Sequence, residues 1–577
     1  MHLKAIPSRL LLYVLAAVLA VFTYFYGLDS PHIPTNGDEF PYAHITRLTA
    51  ESGHLLPLQS RLHEMRNTKP PLLFWQGIAS THWGQAWTWW NLRYPSVIYT
   101  LLTALLVLLL ARKLAQQQTV EGDATPTETG FTAALIFLAF FSTYRFGRPF
   151  LVNPAEVFWF FLPFFTLLYW RSFAFESRAG VPLLLGVAVG IGLLYKSFAL
   201  VVPVGLALSW WYLHQRDYRL QAFLHQDAGK VAITVAVALA MFGLWFAFDP
   251  DPQAVWREFV VGENAGKFDP SGRGYLATLL WGGSSIWALI AGYPMNAGLL
   301  AFPVVAVFWV AYRRRALVGD TEKMLWIWMA VLFIVFCLPS QRTARYLLEA
   351  MPGLAVLCAL NWQRIGRAAF VASLLLAGAA LALLAFLSWR LQQEMPGAEL
   401  YPPIYWLLLA LTALLTLLAI FWGRYTRALV SVVALLVMLA LAAFLRPFDG
   451  AAGNFSAEAQ RYVKGKEVWV PCNFRAVDEG YRFLLPGAQV HGYFSELAQS
   501  AGELSGKYAL FAVQMPLQEK CEGCKIVGQR LEIRSRHSPE AIKRIFAGDV
   551  FQQLFARELL LETSQLMLAR PLDEACR

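Results

Sequence analysis

The sequence predicts a polytopic α-helical membrane protein, with about thirteen transmembrane helices and a small C-terminal α/β domain on the external side. Two observations predict the helical part. Of the 577 residues, 57% are hydrophobic and only 15% are charged. Many apolar runs also reach the ~20 residues that a helix needs to cross a bilayer. The third observation is a change after residue 445, where short strand-like and helical segments replace the long apolar runs.

Basic residues between the apolar runs predict the topology. Lys4 and Arg9 precede the first run, and cytoplasmic loops collect Lys and Arg, so we expect the N-terminus inside and the first loop outside. The same bias accounts for the net charge of +10 without a nucleic-acid partner. The predicted spans are 10–28, 94–110, 131–141, 155–170, 182–194, 198–213, 231–248, 295–312, 325–338, 347–360, 370–387, 404–422 and 428–445.

The run 276–290 is predicted to lie at the interface or to re-enter the membrane. It is apolar but contains a Gly-Gly-Ser-Ser run, and a full crossing would turn the arginine cluster 313–315 outward, against the charge bias. The predicted domains are therefore a transmembrane domain over 1–445, with external loops at 29–93 and 249–292, and an external α/β domain over 446–577.

The C-terminal domain is predicted from its local patterns. Segments 467–470 and 508–513 are typical of strands, and segments 456–463 and 541–562 are typical of helices. Four cysteines lie here: Cys472, Cys521, Cys524 and Cys576. Cys521 and Cys524 could form half of a zinc site or a redox pair, but an oxidising external compartment favours a structural disulfide, with Cys472 or Cys524 as the partner of Cys521.

The loop 29–93 contains the residues best suited to chemistry. Asp38 and Glu39 follow a Thr-Asn-Gly turn and are predicted to open a helix, where the helix dipole favours acidic residues. Lys69 directly precedes two prolines, which hold it in an extended segment. A carboxylate pair and a positioned cation at a membrane edge fit a transfer reaction on an anionic lipid. An ordinary solvated loop with a capped helix would give the same pattern.

Positive charge also occurs in short external turns, where the charge bias disfavours it. Arginine binds phosphate through two parallel hydrogen bonds, and lysine acts as a point charge. Any single residue could merely extend to the interface, but several together predict a phosphate pocket. The cations in short turns are Arg145, Arg148, Lys196, Arg342 and Arg345, and the others on the external side are Lys69, Arg257, Lys267 and Arg273.

An ordered set of short motifs resembles the C-type superfamily of membrane glycosyltransferases, in the branch of bacterial lipid A aminoarabinose transferases and protein O-mannosyltransferases. The resemblance covers about the first 360 residues. The matching motifs are GDEFPYA at 37–43, ESG at 51–53, KPPLLFW at 69–75, RYPS at 93–96, Arg148 before Asn153-Pro154, YKS at 195–197, Glu263-Asn264 and QRTARYLL at 341–348.

The resemblance implies transfer of a sugar from a polyprenyl-phosphate donor, such as undecaprenyl phosphate, to a lipid A-type glycolipid or another envelope glycan at the periplasmic face of the bacterial inner membrane. Asp38 would be the base or acceptor-orienting carboxylate, with Glu39 beside it. The implied donor-phosphate residues are Lys69, Arg148, Lys196, Arg342, Arg345 and Tyr346, and the further site candidates are Tyr42, Arg145, Glu263, Asn264 and Lys267.

The sequence departs from this family at three places. Phe40-Pro41 stands where aminoarabinose transferases carry Thr-Arg, Asn153 where an acidic residue is common, and Thr68 where metal-binding members carry an acid. No cofactor is certain as a result, and a divalent metal is a possible one. The expected partners are the sugar donor, a glycolipid, glycan or protein acceptor, and membrane lipids, with no nucleic acid.

Two other functions remain open on the sequence alone. Transfer to protein Ser or Thr, as in protein O-mannosyltransferases, uses the same donor chemistry. A transporter of an anionic lipid or sugar would also have many spans and buried charge. A transporter would more naturally show repeated halves with broken helices, and no internal repeat is visible.

Overall fold

The computed structural model describes residues 8–32, 37–62, 65–117, 124–265, 274–315, 319–394, 399–450, 453–494, 500–515, 521, 523–533, 538–547 and 550–563. Helices dominate the region before residue 446. They are α1 (Ser8–Phe25), α2 (Glu39–Glu51), α3 (Leu72–Ser80), α4 (Trp89–Gln117), α5 (Pro126–Ala139), α6 (Phe141–Gly147), α7 (Asn153–Tyr169), α8 (Arg171–Glu176), α9 (Gly180–Tyr195), α10 (Val201–Gln215), α11 (Leu220–Gln226), α12 (Ala228–Phe248), α13 (Pro252–Ala254), α14 (Tyr275–Leu280), α15 (Ile286–Ala297), α16 (Ala301–Arg313), α17 (Asp320–Cys337), α18 (Met351–Leu360), α19 (Arg367–Glu394), α20 (Pro403–Phe421) and α21 (Gly423–Leu445).

Within the described ranges, seven helices are long and apolar enough to cross a membrane, or eight if the bent pair α5 and α6 is one span. Two further apolar helices, α1 and α9, are shorter. Leucine, valine and phenylalanine side chains on many of these helices point outward into the space that lipid would fill. The prediction of a helical protein that crosses the membrane several times is therefore confirmed.

Local sequence signals explain where several helices begin. The α2 helix starts directly after Asp38, as the sequence predicts, and α3 starts after Pro70-Pro71. Thr125 and Glu128 form a capping box at the start of α5, in which each side chain accepts a hydrogen bond from the other residue's backbone N–H.

The segment 275–313 differs from the sequence prediction. The membrane span that we predicted over 295–312 begins earlier, at Ile286, because the Ser285 hydroxyl caps the start of α15. The α15 and α16 helices meet at Gly298, which has a φ of 60°. A side chain here would place its Cβ 2.4 Å from that of Phe141, so the position requires glycine.

The C-terminal region folds around a five-stranded mixed sheet in the order β2-β1-β3-β5-β4. Strands β1, β2 and β3 are parallel, and β5 runs antiparallel between β3 and β4. The elements are α22 (Ala457–Val463), β1 (Glu467–Cys472), α23 (Asp478–Leu484), β2 (Gln489–Phe494), α24 (Ala501–Ser505), β3 (Leu510–Gln514), β4 (Cys524–Ile533), α25 (Pro539–Phe546), α26 (Val550–Leu554) and β5 (Phe555–Thr563).

One segment of this region corrects the sequence prediction. We expected a single helix over 541–562, but the helices end at Leu554 and residues 555–563 form β5. This strand pairs on both sides, and its residues Glu558 to Leu561 are buried. Pairing with two neighbours therefore outweighs the helical tendency of its Leu and Glu residues.

The cysteines that the structure describes in the C-terminal region are disulfide-bonded. Cys521 forms a disulfide with Cys524, which is one of the two partners that the sequence analysis considered for it. Cys472 is also disulfide-bonded. The remaining cysteine of the region, Cys576, lies outside the described residues. Cys337 and Cys358, in the apolar helices, are free thiols.

Candidate functional site

Asp38 and Glu39 are adjacent in sequence but lie in opposite environments. The Asp38 side chain is 44% exposed and accepts a hydrogen bond from Arg345 Nη1 at 2.5 Å. The Glu39 carboxylate is buried, accepts two hydrogen bonds from Arg93 at 2.8 and 2.9 Å, and accepts another from the Phe150 backbone N–H at 2.7 Å. Only Asp38 is therefore accessible to an acceptor, and Glu39 ties the start of α2 to α4.

A chain of polar groups continues from Asp38 into the protein. Arg345 Nε and Nη2 both donate to the Asn153 side-chain oxygen, at 3.0 and 2.6 Å. The Asn153 amide donates to Glu156 at 3.1 Å, and Glu156 accepts from Lys196 Nζ at 2.7 Å. We call these residues, together with Glu349, the central network; they are Asp38, Arg345, Asn153, Glu156, Lys196 and Glu349.

The elements that carry the central network end or begin at the same place. Asp38 precedes α2, Asn153 is the first residue of α7, and Lys196 follows the last residue of α9. Arg345 and Glu349 lie on the 3₁₀ helix Ala344–Ala350. Helix ends leave backbone groups and polar side chains without intrahelical partners, so four ends together form a polar site within an apolar bundle.

The two buried carboxylates of this network, Glu156 and Glu349, are site residues that our sequence analysis missed. Both lie at the edge of apolar runs, and an acid there is unusual enough to signal function. Lys196 binds Glu156 and lies 3.7 Å from Glu349. Lys196 is therefore not the uncompensated cation that the sequence suggested, because a charge this far from water requires a partner.

A second pair joins the segment before α3 to the segment after α12. Lys69 Nζ forms an ion pair with Glu263 at 2.5 Å, on the π-helix Val255–Asn264. The Asn67 backbone N–H donates to Glu258 at 2.8 Å. At the end of this π-helix, the Asn264 side chain accepts from the Ser197 hydroxyl at 2.8 Å. The loop containing Lys69 and the turn containing Lys196 therefore both contact the π-helix Val255–Asn264.

Tyr42 connects the two groups. It lies one turn along α2 from Asp38 and is 5% exposed. Burial raises the pKa of Tyr42, and the nearby Asp38 and Glu263 carboxylates raise it further, whereas Arg345 and Lys196 oppose them. Because Asn264, next to Glu263, also accepts from Ser197, next to Lys196, the central network and the Lys69–Glu263 pair adjoin each other.

Arg342, three residues before Arg345, is fully buried and differs from the other cations. Its guanidinium donates to the backbone oxygens of Cys337 and Ser284 at 2.7 and 3.0 Å. Its Nη2 is buried without a hydrogen-bond partner, and no carboxylate in the described part of the chain forms an ion pair with it. Tyr346, one turn later, stacks on Phe336 with the ring centres 5.4 Å apart.

The remaining predicted residues are placed elsewhere. Arg148 is fully buried and donates to the backbone oxygens of Tyr24 and Tyr26 and to the Tyr144 hydroxyl. These contacts occupy its guanidinium, so we do not keep it among the phosphate-binding candidates. Arg145 is exposed beside the Phe146 ring, at 5.3 Å. Lys267 lies outside the described residues.

The donor set of the site does not support a metal centre. In the part of the chain that the structure describes, no three His, Cys, Asp or Glu side chains are grouped so that they could hold a metal ion. The acids of the site are instead bound to Arg345, Lys196 and Lys69. We therefore route no chemical step through a metal.

Known proteins resemble this chain both in sequence and in fold. Residues 10–250 match the family model described as dolichyl-phosphate-mannose-protein mannosyltransferase. Over 362 residues the chain is 27% identical to an undecaprenyl phosphate-alpha-4-amino-4-deoxy-L-arabinose arabinosyl transferase of Edwardsiella ictaluri, covering 60% of this chain and 59% of that protein. A second transferase of this description, from Proteus mirabilis, is 25% identical over 353 residues, which cover 60% of this chain and 58% of that protein. The chain resembles the C-type membrane glycosyltransferases.

The fold agrees along nearly the whole chain. A crystal structure of ArnT from Cupriavidus metallidurans, bound to undecaprenyl phosphate, superposes with a TM-score of 0.59 over 97% of this chain and 99% of that one, at 16% identity. Its apo form gives a TM-score of 0.55 over 86% of this chain and 88% of that one, at 17% identity. The sequence matches span about three fifths of the curated relatives' length, whereas the fold match includes the C-terminal region.

Proposed function

We propose that this chain is a glycosyltransferase of the inner membrane that moves a sugar from a polyprenyl-phosphate donor to a lipid A-type glycolipid or another envelope glycan. The observation that carries the proposal is the accessible Asp38 carboxylate, held by Arg345 at the junction of four helix ends. Relatives described as undecaprenyl-phosphate-dependent arabinosyl transferases support the class of donor.

The proposed reaction is a single inverting displacement. An acceptor hydroxyl or phosphate oxygen attacks the anomeric carbon, the new glycosidic bond forms, and the bond to polyprenyl phosphate breaks. Asp38 orients the acceptor and takes its proton when it has one to lose. Arg345 holds Asp38 in place through its other contact with Asn153. Polyprenyl phosphate leaves as an anion, so nearby cations stabilise the transition state.

Arg342 and Lys69 are the donor-phosphate residues that we favour within the predicted set. Arg342 has a buried N–H group without a partner, and carbonyl oxygens fix the rest of its guanidinium. Lys69 would exchange Glu263 for the phosphate. Lys196 and Arg345, which are bound to carboxylates and to Asn153, would instead keep the central network in position.

Replacing Arg342 by Ala is expected to weaken binding of polyprenyl phosphate by ~1.5–3 kcal/mol, the contribution of a charge-assisted hydrogen bond. The measurement is a titration of the purified protein with polyprenyl phosphate. Arg145→Ala, which removes an exposed cation from another turn, serves as the control and should bind as the wild type does. Equal affinity in all three proteins would show that Arg342 is only structural.

Replacing Glu263 by Gln is expected to have the opposite effect. The Glu263 carboxylate then no longer competes with the phosphate for the Lys69 ammonium, so donor binding should become several-fold tighter in the same titration. Glu258→Gln is the matched control, since Glu258 lies on the same π-helix and accepts from the Asn67 backbone. Weaker donor binding by Glu263→Gln would contradict the exchange at Lys69.

The finer topology is part of the proposal. Counting the bent pair α5 and α6, and the pair α15 and α16, as one span each, the described residues before 446 contain thirteen apolar helical segments, namely α1, α4, α5–α6, α7, α9, α10, α12, α15–α16, α17, α18, α19, α20 and α21. Thirteen crossings from a cytoplasmic N-terminus would put the domain 446–577 in the periplasm, on the side of the loops 29–93 and 249–292. The Cys521–Cys524 disulfide supports an oxidising compartment.

Thiol labelling tests this topology. In a variant whose Cys337 and Cys358 are replaced by Ser, we expect a membrane-impermeant thiol reagent to label spheroplasts only after an impermeant reductant opens the disulfides. Labelling that requires broken membranes would place the domain in the cytoplasm and contradict the proposed orientation.

Transfer to protein Ser or Thr is the second candidate, because the family model over residues 10–250 describes a protein mannosyltransferase. One experiment separates the two candidates. Mass spectra of envelope glycolipids and glycoproteins are compared for cells with the wild type, with Asp38→Asn, and without the protein. We expect a sugar-sized mass difference on a glycolipid that only the wild type produces. The same difference on a protein would favour the second candidate, and no difference on either would contradict transferase activity.

A further inference from the structure

We infer that Glu479, on α23 of the C-terminal domain, is a positioning residue for Asp38: it fixes the outer face of α2 through Arg47 and His44. The inference rests on the proposed role of Asp38. It gives the C-terminal domain a direct part in the reaction, although Glu479 itself touches no reacting atom.

The contact is a buried, charge-assisted one. The Glu479 side chain is fully buried and accepts hydrogen bonds from Arg47 Nε at 2.7 Å and Nη2 at 2.9 Å. His44 Nδ1 lies 3.2 Å from the same carboxylate, and Arg482 Nε lies 3.5 Å from it. Burial alone would raise the pKa of Glu479, but the hydrogen bonds from His44 and Arg47 outweigh it and lower the pKa to about 2.

The histidine adds a second connection within the loop. The backbone N–H of Arg61 donates to His44 Nε2 at 3.2 Å, so this nitrogen carries no proton and Nδ1–H is the donor to Glu479. One carboxylate of the C-terminal domain thereby orders both α2 and the segment that follows it. The residues joined this way are separated by 435 positions in the sequence.

Apolar contacts surround this ion pair. The Phe483 ring stacks on Trp89 with 4.1 Å between the ring centres, and on Trp87 with 5.9 Å. At Gly480 a Cβ would lie 3.0 Å from the Phe40 ring, so α23 packs directly against the second residue of α2. The aromatic stacking holds α23 against the start of α4, and the ion pair with Arg47 fixes how α2 is rotated and where it lies along its axis.

The consequence for Asp38 follows from the two sides of α2. On the inner side, Glu39 is bound to Arg93. On the outer side, Arg47 has Glu479 and the exposed Glu51 as its carboxylate partners. Without the Glu479 charge, Arg47 and His44 lose their buried anionic acceptor, and the outer side of α2 is held less firmly. A shift of about 1 Å at a reacting group can lower a rate by ~100-fold.

The test compares Glu479→Gln with wild type in the full-length, detergent-solubilised enzyme. We expect kcat to fall by about 10- to 100-fold, with the donor KM unchanged within about twofold and faster amide exchange over residues 39–51. Glu562→Gln is the control, because Glu562 binds the Tyr462 hydroxyl away from α2. The double variant Glu479→Gln, Arg47→Gln should be no slower than either single variant, because both substitutions remove the same contact between Arg47 and Glu479.

Unchanged kcat and unchanged exchange in Glu479→Gln would overturn the inference, and so would a change confined to KM. If this variant does not fold, Arg47→Lys replaces it, because Lys keeps the charge but not the two parallel hydrogen bonds. Amide exchange separates this inference from the proposed function. Looser α2 in Glu479→Gln together with full activity in Asp38→Asn would contradict the catalytic role of Asp38 instead.

Discussion

Asp38→Asn is expected to abolish sugar transfer while the protein stays folded in the membrane. The amide keeps the shape of the carboxylate and can still accept from Arg345, but it cannot take a proton from the acceptor. Loss of a general base lowers rates by ~100- to 10,000-fold. The measurement is turnover of a polyprenyl-phosphate sugar by purified protein, with thermal unfolding as the check on folding.

A matched control separates the role of Asp38 from a general effect of charge. Asp29→Asn removes an exposed carboxylate from the same loop, where it pairs with Arg446, and should retain wild-type turnover. Wild-type turnover by Asp38→Asn would refute the catalytic assignment. Lost turnover in both variants would instead implicate the charge of the whole loop.

Arg93→Met is expected to have the largest effect on stability. Arg93 binds the buried Glu39 and also donates to the backbone oxygens of Leu28 and Ser30, at 3.1 and 2.5 Å. Removing it leaves the Glu39 carboxylate buried without its cation, which typically costs ~3–5 kcal/mol. Thermal unfolding in detergent measures the loss, and Glu39→Gln should cause a smaller one.

The control for this prediction is an exposed arginine. Arg145→Met removes a cation that contacts the edge of the site only through the Phe146 ring, and such surface changes usually alter stability by less than ~0.5 kcal/mol. If Arg93→Met and Arg145→Met unfold at the same temperature, the ion pair does not stabilise the protein. A stable Glu39→Gln variant without turnover would return Glu39 to the catalytic set.

The features predicted well from sequence depend on short-range signals. Acidic residues after a turn predicted the start of α2. The β1 and β3 strands and the disulfide of Cys521 were also predicted. In each of these cases, residues within a few positions of one another determine the structure, so a single sequence contains the information.

The features predicted poorly depend on partners far away in sequence. Residues 555–563 have a helical composition, yet they form the strand between β3 and β4. The Arg148 guanidinium donates to the backbone oxygens of Tyr24 and Tyr26, at the end of α1 and just after it, and to the Tyr144 hydroxyl. Glu156 looked like one acid in an apolar run until the fold placed it beside Lys196.

The sequence by itself determined that this is a multi-pass membrane protein, and it identified the acidic pair and the cations of the external turns. Only the tertiary structure decided which member of the pair is accessible. Asp38 and Glu39 have the same local signals, but Arg93 buries Glu39 whereas Arg345, 307 residues away from Asp38, holds that carboxylate at the surface of the site. Because a buried charge needs a partner, the residues that the fold brings to each carboxylate determine its role.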